Sequence, residues 1–154
     1  MNATIPIDSI WGMLIPLSYD NKKWLVDKLY EDIQRTKPLE EMFARLGDLS
    51  KLEKGWDGYN AVPLKPAVVE NLQSLLKKCG EDDVAPWVLF PDVDGNIYLD
   101  FKSDQVDAGI IISEKEFSYF VDDKDERNVP FSESAVLHVI KNINRTSEYE
   151  QANR

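Results

Sequence analysis

Gly55-Trp56-Asp57-Gly58-Tyr59-Asn60-Ala61 is the stretch whose residue types come nearest to chemistry. Two glycines let the backbone turn sharply, so Trp56 and Tyr59 can stand on either side of the Asp57 carboxylate. Aromatic rings flanking a carboxylate suit a sugar or a cationic group. In the structural alternative both rings plug a junction between helices, and Asp57 accepts hydrogen bonds from loop amides. As part of a carbohydrate-active hydrolase, Asp57 would need a second carboxyl group facing it across a cleft at roughly 5 to 9.5 Å.

The second candidate is an excess of carboxylates. The formal charge is −10, and residues 81 to 127 carry 14 acidic side chains against 4 basic ones, whereas the segments on either side are balanced. If the strands expected there run up and down in order, Asp82, Asp83, Asp104, Asp107, Asp122, Asp123 and Asp125 gather at one end of the sheet. Clustered carboxylates hold Ca²⁺ or attract a basic partner. Asp92-Val93-Asp94-Gly95 lacks the third ligand and the distal Glu of a calcium loop, so no metal site is expected. Such a field repels nucleic-acid phosphates and anionic membranes. The plainer reading is a solvated face that keeps the chain soluble.

Other reactive groups are few. His138 is the only histidine, and its position in the last helix turns it away from the apolar stripe, towards solvent. One imidazole makes hydrolytic triads and zinc sites improbable. Cys79 is also alone and falls on a buried stripe, as a small core residue and not a nucleophile. Gly55 and Gly58 fit neither phosphate-cradling spacing. These residues predict no catalytic constellation and no cofactor.

Trp56-Asp57-Gly58-Tyr59-Asn60-Ala61, followed by a Pro-led helix, a Pro-flanked strand and the Asp94-Gly95 hairpin, resembles a group of small uncharacterised bacterial proteins with a W-D-G-Y-G-A-like loop. Here Asn60 stands where Gly is usual, which the left-handed tolerance of Asn permits. Separately, Ile10-Trp11, Leu17-Ser18 and Asn21-Lys22-Lys23-Trp24-Leu25 resemble the start of short antitoxin-like proteins, whose members pair with a toxin. Together the two resemblances cover about 80 residues. They imply a binding role and supply no catalytic residues.

The elements that must position these groups follow from periodicity. An N-terminal helical hairpin is expected over residues 1–36, with Pro16 ending its first helix and Ser18 capping its second. Its two tryptophans, Trp11 and Trp24, are expected to pack on the chain's own core. Helices fill 37–80, one from Pro38 and one from Pro66, whose stripe Val68, Leu72, Leu75, Leu76 and Cys79 has helical spacing. Residues 81–127 read as an acidic four-stranded meander: Trp87–Phe90, Ile97–Phe101, Gly109–Ile112 and Phe117–Val121, with Asp94-Gly95 turning the first hairpin. Asp122 to Arg127 read as a link to a C-terminal helix over 128–145, capped by Ser132, with 146–154 a frayed tail. At 154 residues one domain is expected, large enough to need no disulfide or metal.

The expected fold class is therefore α+β, a four-stranded antiparallel meander packed on one face by four to five helices. Tyr98, Asp100, Ser118 and Phe120 would lie on the other, partly exposed face. The leading functional expectation is non-enzymatic binding of a basic protein in an antitoxin-like or immunity-like neutralising role. Trp56, Asp57, Tyr59, Asp104, Asp107, Asp122, Asp123 and Asp125 are the expected partner-binding residues. Nucleic acid and membrane are not expected as partners, and the lack of a signal peptide or long apolar run points to the cytoplasm. A third reading is a structural subunit that self-associates through its N-terminal helices.

Overall fold

The computed structural model describes residues 7–35 and 37–152. The chain divides into two compact units, Met1–Lys37 and Pro38–Arg154. No described helix is long and apolar enough to cross a membrane.

The first unit holds α1 (Ile7–Leu14) and α2 (Tyr19–Arg35). Ser18 caps α2 as its sequence position requires, its Oγ accepting from the Asn21 amide at 3.2 Å. The apolar stripes are present but not buried: Trp11 is 63% and Trp24 61% exposed. This corrects the expectation that both rings enter a core. Two short helices enclose no interior of their own, and among the described side chains from Ile7 to Ile33 only Ile10, Leu14, Leu17 and Leu25 are half-covered.

In the second unit, α3 (Pro38–Leu49), α4 (Pro66–Leu76), the single turn α5 (Glu81–Val84) and α6 (Glu133–Ala152) accompany a sheet. Its strands are β1 (Trp87–Pro91), β2 (Ile97–Phe101), β3 (Ala108–Ile112), β4 (Glu116–Val121) and β5 (Lys124–Pro130). They lie in sequence order, each antiparallel to the next. The α+β class is as expected, but the meander has five strands where four were predicted. The fifth was missed because Lys124-Asp125-Glu126-Arg127 has no apolar alternation. It is an edge strand, so neither face needs to be apolar, and charges there discourage pairing with stray strands.

Alternation divides the other strands cleanly. Trp87, Leu89, Ile97, Leu99, Phe101, Ala108, Ile110, Ile112 and Phe117 are buried on one face, where they meet the predicted stripe of α4 and the α6 residues Val136, Val139, Ile140 and Ile143. Ser132 Oγ accepts from Ala135 N at 3.1 Å and starts α6. That helix runs on to Ala152 through the segment expected to fray. Ser147, one turn beyond Ile143, is still buried and keeps the same face against the core.

A polar clasp closes one end of this layer. Asn144 Oδ1 accepts from Trp87 Nε1 at 2.9 Å, and its Nδ2 donates to the Asp83 carbonyl at 3.0 Å. The Asp83 side chain accepts from Gly80 N at 2.8 Å and lies 3.5 Å from Lys141 Nζ. Cys79, beside it, is buried as its stripe predicts. Burial, with the Asp83 carboxylate adding to it, pushes the thiol up to about 11. A thiol so rarely ionised is a poor nucleophile.

Candidate functional site

Antiparallel order sends the connections to opposite ends of the sheet, and this separates the candidate residues into two groups. Residues preceding β1, the β2–β3 loop and the β4–β5 turn share one end, while the β1–β2 and β3–β4 turns share the other. Strands of five residues put the two ends about 17 Å apart.

The Trp56 loop belongs to the second end. Val62 N donates to Val93 O and Lys65 N to Gly95 O, each at 3.0 Å, which fastens the segment after the loop onto the β1–β2 turn. Within the loop, Asp57 Oδ1 accepts from Tyr59 N at 2.9 Å and from Ala61 N at 3.1 Å. Trp56 Nε1 donates to Val62 O at 3.0 Å. Asp57 is thus an internal brace, as the structural alternative had it, and Trp56 is half-buried over the same loop. Tyr59 departs from that alternative: it plugs nothing and is 84% exposed.

Gly95 shows how tight this junction is. Its φ is +86°, and a Cβ there would stand 2.9 Å from the Pro63 carbonyl oxygen. Both the left-handed backbone and the backbone neighbour oppose a side chain. Gly95→Ala is therefore expected to cost about 2 kcal/mol or more in denaturant unfolding. The melting of the Trp56 environment, followed by its fluorescence, should move with it.

At the opposite end the acidic residues do assemble. Asp122 adopts the left-handed conformation at φ 54°, which Asp tolerates better than most residues. It docks the β4–β5 turn against the β2–β3 loop: Asp122 N donates to Asp107 O at 2.6 Å, and Asp107 N donates to Asp122 Oδ1 at 3.0 Å. Asp104 and Asp123 are exposed beside them. Asp125 accepts from Arg127 Nε at 2.8 Å on the outer edge. Asp83 is committed to the Asn144 clasp.

Asp122, Asp123 and Asp125 border a groove of about 610 Å³ on the face of the sheet opposite α4 and α6. Its floor includes Ile111, Ser118 and Phe120, and its wall is residues 122–128. One cross-strand row explains the combination: Val88, Asp100, Gly109, Phe120 and Asp125 stand opposite one another in register across all five strands. The next row carries Phe90, Tyr98, Ile111 and Ser118. Tyr98, Asp100, Ser118 and Phe120 are all half-buried there, on the face where the sequence placed them. The groove residues that sequence reasoning missed are Ile111, Tyr119 and, on β5, Lys124 and Glu126 to Asn128. Gly109 was the available signal, since a glycine inside a strand marks a close approach. A Cβ at Gly109 would stand 2.5 Å from Tyr98 and 2.7 Å from Phe120, whose rings lie across it.

The Tyr98 hydroxyl donates to Asp100 Oδ1 at 3.1 Å. Removal from water, that hydrogen bond, and the carboxylates of Asp100 and Asp107 push the phenol up to about 12. The folded chain therefore holds this proton more tightly than the unfolded one. The corresponding stability is fully present below pH 10, the unfolded value, and is lost as pH rises to about 12. Tyr98→Phe should flatten that part of the stability profile, as measured by urea unfolding at successive pH values.

Two smaller concavities lie elsewhere. One, of about 180 Å³, is between α3 and β1, where Arg45 Nε donates to Leu89 O at 3.3 Å. The other, about 390 Å³, is beside the β3–β4 turn near Lys65, Asn96 and Glu114. Asp57 lines none of the three, and no facing carboxylate accompanies it among their residues. Among the described residues no three His, Cys, Asp or Glu side chains are grouped to hold a metal ion. His138 is exposed, as expected, beside Asn142 at 3.1 Å.

The structure thus brings Asp107, Asp122, Asp123 and Asp125 together, with Asp104 at the same end, and separates them from Trp56, Asp57 and Tyr59. Compared with protein-family models, with curated proteins and with solved structures, the chain has no match.

Proposed function

We propose that the second unit is a protein-binding module, non-enzymatic, whose groove on β3, β4 and β5 takes a basic segment of a partner in an antitoxin-like or immunity-like neutralising role. The observation that carries this reading is the juxtaposition of an apolar floor, Ile111 and Phe120, with a wall of four carboxylates, Asp122, Asp123, Asp125 and Glu126, that outnumber its two cations, Lys124 and Arg127. Apolar anchors supply affinity, while unlike charge speeds encounter and rejects acidic competitors. The whole net charge supports it, since residues 38–154 carry 23 acidic and 13 basic side chains. Trp56 and Tyr59 have no part in this groove.

The test uses a dye-labelled peptide of alternating lysine and leucine, its binding followed by anisotropy. Affinity should fall steeply between low and physiological salt, because the Debye length shortens from about 30 Å to about 8 Å. An acidic peptide of the same length should not bind. Equal binding of both peptides, or of neither, contradicts the proposal.

A further inference from the structure

The groove already holds a cation of its own. Asp125 and Arg127 are two apart on β5 and so point to the same side of the sheet, where Arg127 Nε donates to Asp125 Oδ2 at 2.8 Å. Asp125 stands directly opposite Phe120 in the cross-strand register, which puts the paired carboxylate beside the apolar floor. Of the four wall carboxylates, Asp125 is the one paired with a cation among the described residues. Asp122 instead accepts from the Asp107 amide.

Around this pair the backbone is fixed and the Arg127 side chain is not. On one side the β4–β5 turn is docked through Asp122 and Asp107. On the other, the strands slip register between Phe117 and Tyr119, and Asn128, with its φ of 56°, donates its amide to Ser118 Oγ at 3.1 Å. The Arg127 side chain itself is 79% exposed, and its one hydrogen bond among the described residues is to Asp125. An exposed pair of this kind contributes up to about fivefold to an equilibrium, so it opens readily. A guanidinium arriving from a partner can donate two bonds to the Asp125 carboxylate while lying flat on the Phe120 ring, where Arg127 donates one bond through Nε. An ammonium group has no such plane to stack.

We infer that Arg127 is the resident stand-in for an arginine of the partner: it occupies Asp125 in the free chain, and the incoming guanidinium displaces it. This rests on the groove reading and adds which side chain the partner presents and which residue of this chain opposes it.

The test titrates a dye-labelled peptide of alternating arginine and leucine at low salt, by anisotropy. Lys124 is the other wall cation and has no ion pair among the described residues, so Lys124→Gln measures the plain effect of removing a charge, about twofold tighter binding. Arg127→Gln should tighten binding at least about fivefold. In an Asp125→Asn chain the gain from Arg127→Gln should shrink to that of Lys124→Gln. The arginine peptide should bind the wild type at least about threefold more tightly than the lysine–leucine peptide, and Asp125→Asn should abolish that preference. On the isotopically labelled wild type, the Arg127 Nε–H resonance should move to the position of a free arginine as the peptide saturates the groove. Equal gains from Arg127→Gln and Lys124→Gln, a full gain that survives Asp125→Asn, no preference for arginine, or an unmoved Nε–H resonance would each overturn the inference while leaving the groove reading in place. Failure of every variant to bind either peptide would overturn both.

Discussion

Replacing Asp122 by Asn and Asp123 and Asp125 by Lys is expected to weaken binding of the lysine–leucine peptide at least about tenfold at low ionic strength. The choice of Asn at 122 follows from its two duties. The left-handed φ of 54° and the hydrogen bond from Asp107 N are both needed to dock the turn, and Asn satisfies both where Lys satisfies neither. Asp123 is exposed and has no such role. Removing the Asp125 carboxylate also releases the Arg127 guanidinium, held at 2.8 Å and largely exposed, so a cation is freed at the groove wall. The triple variant should have an unfolding free energy within about 1 kcal/mol of the wild type's, because exposed charges contribute little to stability. Unchanged peptide affinity in a folded triple variant would remove the electrostatic half of the account.

The second large effect separates the floor of the groove from its foundation. Phe117 and Phe120 lie on the same strand but on opposite faces. Phe117 is 1% exposed in the core and its ring stacks on Tyr119 with centroids 6.0 Å apart. Phe117→Ala should cost about 3–5 kcal/mol through lost burial and the cavity left behind. Against a typical total of about 5–15 kcal/mol, that leaves much of the unit unfolded under mild denaturant. Phe120→Ala, which empties half-exposed space, should cost far less stability while still weakening peptide binding. Equal destabilisation by both would mean that the outer face is not the open surface described here.

Much of the fold could be read from the residues because two signals coincide in it. Ile97-Tyr98-Leu99-Asp100-Phe101 alternates, and its neighbours are bounded by turn formers, so the first four strands and the faces of β2 and β4 were accessible from local pattern, whereas Gly109-Ile110-Ile111-Ile112 does not alternate and gave no sign that Ile111 is exposed. The collection of carboxylates at one end also followed, since it depends only on up-and-down order. Lys124–Pro130 escaped because an edge strand is stabilised by its neighbour's backbone and needs no apolar signature of its own. The fate of Asp57 could not be decided from spacing, because a carboxylate between two aromatics has the same sequence whether it faces a ligand or two amides of its own loop. The exposure of Trp11 and Trp24 was hidden for a related reason: periodicity shows that a face is apolar and says nothing of what covers it.

Amide chemical-shift mapping of the lysine–leucine peptide on the isotopically labelled chain tests the central claim most directly. The account predicts that the largest shifts fall at Ile111, Ser118 and Phe120 and along residues 123–127. Shifts centred instead on residues 55–61, or no saturable shifts anywhere, would contradict it.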